Sequence, residues 1–463
     1  MDVDSLLSSV LKKIKPRKDQ IEALFKESDR IISFLKDKGY DARLMGSLAK
    51  GTILADNKEV DIFVFFDESV NKKYFDEFSK KVGKELAREF GGSYEIAYAE
   101  HPYAKVKIGK ITFDVVPAYR ISSTKHVKSA VDRTPFHVDY VRRKLKNTDD
   151  VLILKKFLKS LGIYGAEAKI QGFSGYLCEL LIIHYGSFLN LIKHAANWKS
   201  TVFIDIENYY DILSNDLRKK FENAPLIVID PVDKNRNVAA AVSERSLNRF
   251  VKASKLFLRK PSGNFFFPKV KVNLSDVKKL LRNRSYVFII FKKPNVVEDV
   301  LWPQLRRSAN AIAKLIQNVE KDFKIIKCDV WANNNCVIFF ELNTLKLSKE
   351  KKHYGPPLTT SAKNRDKFIE KYENSNVAVL KPWIERNRWV VLVKRKYFRI
   401  EDLIRKELAY GTEALIRQGI AKYIAKVLNR GFNIKINDEI DVRDKEFLLL
   451  LSEHVKGELW WLP

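Results

Sequence analysis

Gly46-Ser47-Leu48-Ala49-Lys50-Gly51-Thr52-Ile53-Leu54 and, after a polar turn, Glu59-Val60-Asp61-Ile62-Phe63-Val64-Phe65-Phe66 form the stretch that decides the fold. From Glu59 onward the β-branched and aromatic run reads as a strand. Strand side chains alternate between faces, so Glu59 and Asp61 project on one side and Val60, Ile62 and Val64 on the other. Two like charges at the head of an apolar strand repel each other and are costly to desolvate unless a cation sits between them. A divalent metal ion meets that need.

A third acid, Asp114, lies within Ile111-Thr112-Phe113-Asp114-Val115-Val116-Pro117. Gly109-Lys110 separates two strand-like runs, 103–108 and 111–116, as a two-residue hairpin turn does. Three carboxylates suit Mg2+ or Mn2+, whereas zinc sites favour thiolate and imidazole. Upstream, Gly46-Ser47 followed by a helical turn makes an anion site, with Ser47 donating to a triphosphate and Lys50 adding charge. This is not a Walker loop, in which Lys follows the second glycine; here Thr52 follows Gly51.

Together these motifs resemble the signature of the DNA polymerase β nucleotidyltransferase superfamily. In detail they are similar to the archaeal, class I tRNA CCA-adding enzymes, where Glu holds the first acid position. The resemblance covers nearly the whole chain, most strongly from Gly46 to Arg236. It implies template-independent addition, and repair, of CCA at the tRNA 3′ end from CTP and ATP, with release of pyrophosphate. Glu59 and Asp61 then hold two metal ions, and Asp114 binds only the ion beside the primer 3′-OH. In Ser129-Ala130-Val131-Asp132-Arg133-Thr134-Pro135-Phe136-His137-Val138-Asp139, the family places Thr134 and His137 near the nucleotide. By the same resemblance Lys155 contacts the triphosphate, Tyr164 packs by the sugar and phosphates, and Arg236 reads the incoming base. Gln171-Gly172-Phe173-Ser174-Gly175-Tyr176-Leu177-Cys178-Glu179 also matches the family and is assigned mainly to architecture, with Ser174 as a helix cap.

At 463 residues the chain predicts several domains, placed at 1–147 (palm), 148–258 (a mainly helical central domain) and 259–463 (an RNA-binding body and helical tail). The fold class is α+β and multidomain. A net charge of +28 calls for a polyanionic partner, and tRNA fits better than a membrane because the basic residues are spread along the chain. Cys178, Cys328 and Cys336 show no paired metal spacing and read as reduced thiols of a cytoplasmic protein. No signal peptide and no bilayer-spanning run is read. Homodimers occur in the family, so a dimer is allowed.

Periodicity predicts two helices within 1–40 broken near Pro16, a strand over 42–45, a helix over 72–90 and strands over 94–99, 103–108 and 111–116. Beyond them come a helix over 151–161, one buried helix from Ser174 to about Trp198, and a strand ending at Asp230 with a turn and a helix from Val238. After Pro261 a β-α-β-β order (286–291, 301–318, 323–331, 337–342) is half of a ferredoxin-like or RRM-like sheet. The segment 353–357 is expected to order a loop, 401–407 and 412–429 to be helices, and Leu459-Trp460-Trp461-Leu462 to tuck into the body or a dimer contact. Two rivals remain: a poly(A) polymerase or oligoadenylate synthetase-like enzyme, and a non-catalytic tRNA-binding protein.

Overall fold

The computed structural model describes residues 2–98, 100–199, 201–210, 220–221, 224–269 and 272–457. The described residues fall into two compact units, one ending at residue 269 and the other beginning at 272. The sequence 459–462 lies outside the described residues.

The first unit opens with α1 (Val3–Ile14) and α2 (Lys18–Asp37), divided at Pro16 as the ring of proline requires. Gly39, at φ +84°, turns the chain into β1 (Asp41–Leu44). Then follow α3 (Gly46–Ala49), β2 (Glu59–Phe66), α4 (Tyr74–Glu89), β3 (Ser93–Tyr98), β4 (Pro102–Ile108) and β5 (Ile111–Tyr119). The five strands order as β1-β2-β5-β4-β3. All neighbours are antiparallel except β2 and β5, which run parallel with Asp61 opposite Asp114. The alternation read from the sequence holds. Val60, Ile62, Val64, Phe113 and Val115 are buried on one face beneath Leu24, Ile31 and Leu35 of α2 and Phe78, Val82 and Leu86 of α4. Each such side chain contributes about 1.5–3 kcal/mol of burial, enough to fix which way the acids point.

The same unit continues through α5 (Thr134–Lys144), α6 (Thr148–Ser160), α7 (Gly175–Tyr185), α8 (Phe188–Ala195), β6 (Val202–Ile204), β7 (Leu226–Asp230), β8 (Asp233–Asn237) and the helix Glu244–Arg259. Ser174 caps α7 as read, its hydroxyl accepting from the Leu177 amide. The single helix expected to run to Trp198 is instead two helices bent by 91°. Gly186 ends α7 in the left-handed region at φ +80°, and the Ser187 hydroxyl starts α8 by accepting from the Asn190 amide. A helix from Val238 is also corrected. Residues 233–237 return as β8 against β7, because the Asn237 side chain accepts from the Val228 and Ala239 amides and donates to the Leu226 carbonyl. The helix begins only at Glu244, capped by Ser243.

In the second unit β9 (Tyr286–Lys292), the helix Glu298–Val319, β10 (Ile325–Ala332) and β11 (Asn335–Leu342) give the β-α-β-β order read from the sequence. The sheet orders as β10-β11-β9-β15, with β15 (Asn433–Ile436) added at the edge. A second sheet, β12 (Glu350–Pro357), β14 (Arg388–Lys394) and β13 (Ala378–Glu385), contains the segment 353–357, expected to order a loop and here itself a strand. His353 stacks there on Phe368, and a Cβ on Gly355 would lie 2.5 Å from the Phe368 ring, so glycine lets helix Ala362–Glu373 pack close. The helix expected over 412–429 is two, Thr412–Arg417 and Lys422–Arg430, separated by Gly419 at φ +94°. Among the described residues no single helix is long and apolar enough to cross a membrane.

Candidate active site

The acids are set by the parallel ladder. Asp61 and Asp114 are register partners on β2 and β5, and Glu59 stands two residues before Asp61 on the same face. Gly46 makes room for them: it sits at φ +66°, and a Cβ there would fall 1.7 Å from Asp61 Oδ2. Burial pushes the Asp61 carboxyl up, and the Glu59 charge adds to this against the pull of Lys50, Lys105 and Lys155. Asp114 is raised to about 7, first by burial and then by Asp61 and Glu59, with Lys105 opposing. Asp114 Oδ1 is buried with no hydrogen-bond partner. Lys105, opposite Asp114 on β4, reaches both neighbours: its Nζ is 3.2 Å from Glu59 Oε1 and 3.8 Å from Asp114 Oδ1.

These three carboxylates share a face, yet among the described residues no trio of acid, His or Cys groups is gathered closely enough to form a finished metal cage. Lys105 provides the local cation in this arrangement, drawing on Glu59 and Asp114. The chemistry nevertheless fits a hard divalent ion. The donors are all oxygens, two carry raised pKa values through crowding and burial, and one oxygen is orphaned.

Beside the acids is a cavity of about 200 Å³ lined by Ser47, Thr52, Glu59, Lys155, Lys159 and Tyr164 among others. Lys155 is buried, and its Nζ donates to the Thr52 carbonyl at 2.8 Å and to Thr52 Oγ1 at 3.1 Å. Burial keeps the Tyr164 hydroxyl protonated by pushing its pKa up. Ser47, Lys155 and Tyr164 are thus brought together as read. Lys50 is not among the lining groups. Its ammonium pairs with Glu179 Oε2 at 2.5 Å, inside the protein, and its charge is felt at Asp61. Within the segment ending at Glu179, that acid also accepts from Thr52 Oγ1 at 2.6 Å and lies 3.7 Å from Lys155 Nζ.

His137 and Arg236 meet at a residue the sequence reading passed over, Asp230. His137 Nε2 is 3.0 Å from Asp230 Oδ2, and Arg236 Nη1 donates to the same oxygen at 2.8 Å. The Tyr176 hydroxyl donates to Oδ1 at 3.1 Å, and its ring stacks on His137 with centroids 4.0 Å apart. Burial pushes His137 down despite Asp230, so its imidazole is neutral at pH 7. Burial works against the Asp230 charge, but His137 and Arg236 outweigh it and hold the carboxyl below its ordinary value. Thr134 opens α5 one turn before His137 and is half-buried. Two of the missed groups carried a signal. Glu179 is the one charge in an apolar run, and Asp230 ends a strand of four apolar residues. Lys105 carried none, since its partners depend on register.

Three family descriptions match in chain order: "Nucleotidyltransferase domain" over residues 28–137, "tRNA nucleotidyltransferase, second domain" over 149–267 and "CCA-adding enzyme, C-terminal domain" over 282–437. The CCA-adding enzyme of Methanosarcina barkeri is 36% identical over 98% of each chain. That of Methanocaldococcus jannaschii is 38% identical over 92% of this chain and 94% of its own. That of Sulfurisphaera tokodaii is 38% identical over 87% and 91%. With the acids on one sheet face, a lysine-lined cavity beside them and this similarity along almost its full length, the chain belongs to the CCA-adding enzyme family of tRNA nucleotidyltransferases.

Proposed function

We propose that this protein adds C, C and A in turn to the 3′ end of tRNA, using CTP and ATP and releasing pyrophosphate. The observation that carries this reading is the pairing of Asp61 with Asp114 across the parallel ladder, with Glu59 on the same face and in the wall of the cavity lined by Ser47 and Lys155. Glu59, Asp61 and Asp114 would hold Mg2+ or Mn2+, which when bound activates the primer hydroxyl and stabilises the leaving pyrophosphate. Ser47 and Tyr164 offer hydroxyl donors to the triphosphate, and Lys155 and Lys159 offer charge. Neutral His137 is fixed by Asp230 and Tyr176, and Arg236, anchored on the same carboxylate, presents its remaining donors to base and RNA phosphate. The charge of +28 serves a tRNA backbone. A homodimer and a cytoplasmic location belong to the same proposal.

The test is to incubate the protein with tRNA ending at the discriminator base and with each nucleoside triphosphate alone and combined, and to read product lengths. CTP alone should add two residues, and CTP with ATP three, followed by arrest. Unlimited extension with ATP alone would mark a poly(A) polymerase instead, and no Mg2+-dependent incorporation would mark an RNA-binding protein without activity.

A further inference from the structure

Glu179 sits on α7 in the run Leu177-Cys178-Glu179-Leu180-Leu181-Ile182, every member of which is buried. Its carboxylate is served from two distant segments. Lys50 and Thr52 come from the turn after α3, and Lys155 comes from α6. Thr52 closes the set, donating to Glu179 while accepting from Lys155, and Lys155 also donates to the Thr52 carbonyl. One acid therefore ties two helices of the second family segment to the turn that follows Ser47 and α3. For stability alone, apolar side chains packed in these positions would serve as well or better, because enclosing charges is costly even when they are paired. Such a cluster is useful where cations must be held rigidly beside a reacting group. Lys155 and Thr52 are both at the wall of the cavity next to Glu59.

We propose that Glu179 is a positioning residue for the phosphate tail of the incoming nucleotide, holding Lys155 and Lys50 in place and fixing the Thr52 backbone on which the Ser47 turn rests. This rests on the nucleotidyl-transfer reading above. Glu179 touches no substrate itself; it acts through the lysines. Burial favours loss of the Lys155 proton, and the Glu179 carboxylate is the largest influence that retains it. Neutralising the acid therefore weakens the cation that faces the cavity and releases the one that does not.

The test uses the full-length protein with Glu179→Gln, whose amide oxygen still accepts from Thr52, and Glu179→Asp, which keeps the charge on a shorter arm. KM and kcat are measured for CTP and for ATP on tRNA lacking its 3′ CCA, together with tRNA affinity and the melting midpoint. Glu179→Gln should raise both nucleotide KM values tenfold or more, change kcat less than threefold and leave tRNA affinity unchanged; Glu179→Asp should recover part of the KM. A KM within twofold of wild type overturns the proposal, as does a joint fall of KM performance, kcat and tRNA affinity that tracks the melting midpoint. If Glu179→Gln does not fold, Glu179→Asp decides: a raised KM at unchanged kcat supports the role, and a wild-type KM overturns it. A wild-type protein that transfers no C or A removes the nucleotide reading and this inference together, whereas an unaffected Glu179→Gln in an active enzyme removes this inference alone.

Discussion

Two pairs of acids in the first unit, Asp61 with Asp114 and Glu179 with Asp230, are the same chemistry in opposite electrostatic states. The first pair is raised, Asp114 to about 7, by burial and by the charges of its neighbours. The second pair is at least as enclosed, yet lysine, arginine and histidine partners hold both carboxyls below their ordinary values. The difference lies in where the cation comes from. At Glu179 and Asp230 the chain supplies it, from Lys50, Lys155 and Arg236, and His137 adds a hydrogen bond to Asp230. At Asp61 and Asp114 the ion pair among the described residues is Lys105, at 3.8 Å from Asp114, while Lys50 and Lys155 act on Asp61 from farther off, and Asp114 Oδ1 has no hydrogen-bond partner. Burial alone therefore does not mark a site for a metal ion. An unmet demand for positive charge does.

The sharpest way to break this contrast is at the unmet pair. Asp114→Ala deletes a carboxylate, and Gly46→Ala drives a methyl into Asp61 Oδ2 from a backbone that disfavours it. Each should lower CMP transfer roughly 1000-fold, the upper range for loss of one preorganised group, while filter retention of tRNA stays unchanged. Transfer at near wild-type rate by either variant would remove these acids from the chemistry.

At the satisfied pair the effect should appear as stability. Asp230→Asn leaves the part-exposed Arg236 and His137 around a neutral group, and loss of this charge-assisted bonding should destabilise the protein by about 1.5 kcal/mol in urea unfolding at pH 7. An unchanged midpoint would mean that this acid is no better satisfied than Asp114.

The opposite sign is expected for Asp114→Asn in EDTA. The folded protein holds the Asp114 proton up to about pH 7, whereas the unfolded chain releases it near the ordinary value of 3.8. The folded state binds more protons between those limits, so this residue drains stability as pH rises through that window. Asp114→Asn should therefore be more stable than wild type at pH 7.5, by on the order of 4 kcal/mol, with the gap closing toward pH 4.5. Equal gaps at both pH values would show that titration is not the cause.

The smallest effect concerns Lys105. It is partly exposed and pairs with an exposed Glu59, an arrangement worth about 0.5–1 kcal/mol. Lys105→Met should tighten Mn2+ binding a few-fold in a paramagnetic titration, and weaker binding would show the lysine to be a helper of the ion and not its competitor.

The sequence displayed whatever depends on local pattern. The Glu59-Val60-Asp61 alternation, the Gly109-Lys110 turn and the Ser174 cap all come from period and propensity, and each is found where it was read. What escaped depends on distant partners. Nothing near Lys50 announces an acid on α7, and an unbroken apolar run hides the bend that Gly186 and Ser187 impose. Asp233–Asn237 is polar enough to pass for a turn, and only the Asn237 bonds to β7 make it a strand. The positions of Ser47, Lys155 and Tyr164 around one cavity followed from family likeness, whereas the support of Lys155 by Glu179 and of His137 and Arg236 by Asp230 did not.

Because β2 and β5 run side by side in one direction, no tight turn can join them; α4 and the β3–β4 hairpin must be laid down in between. The centre therefore does not exist where that pairing has locally come apart. An enzyme that extends RNA without a template lacks an external check on its substrate. Here the three acids share a face only where β5 lies beside β2, so the centre is a property of the paired sheet and not of either strand alone.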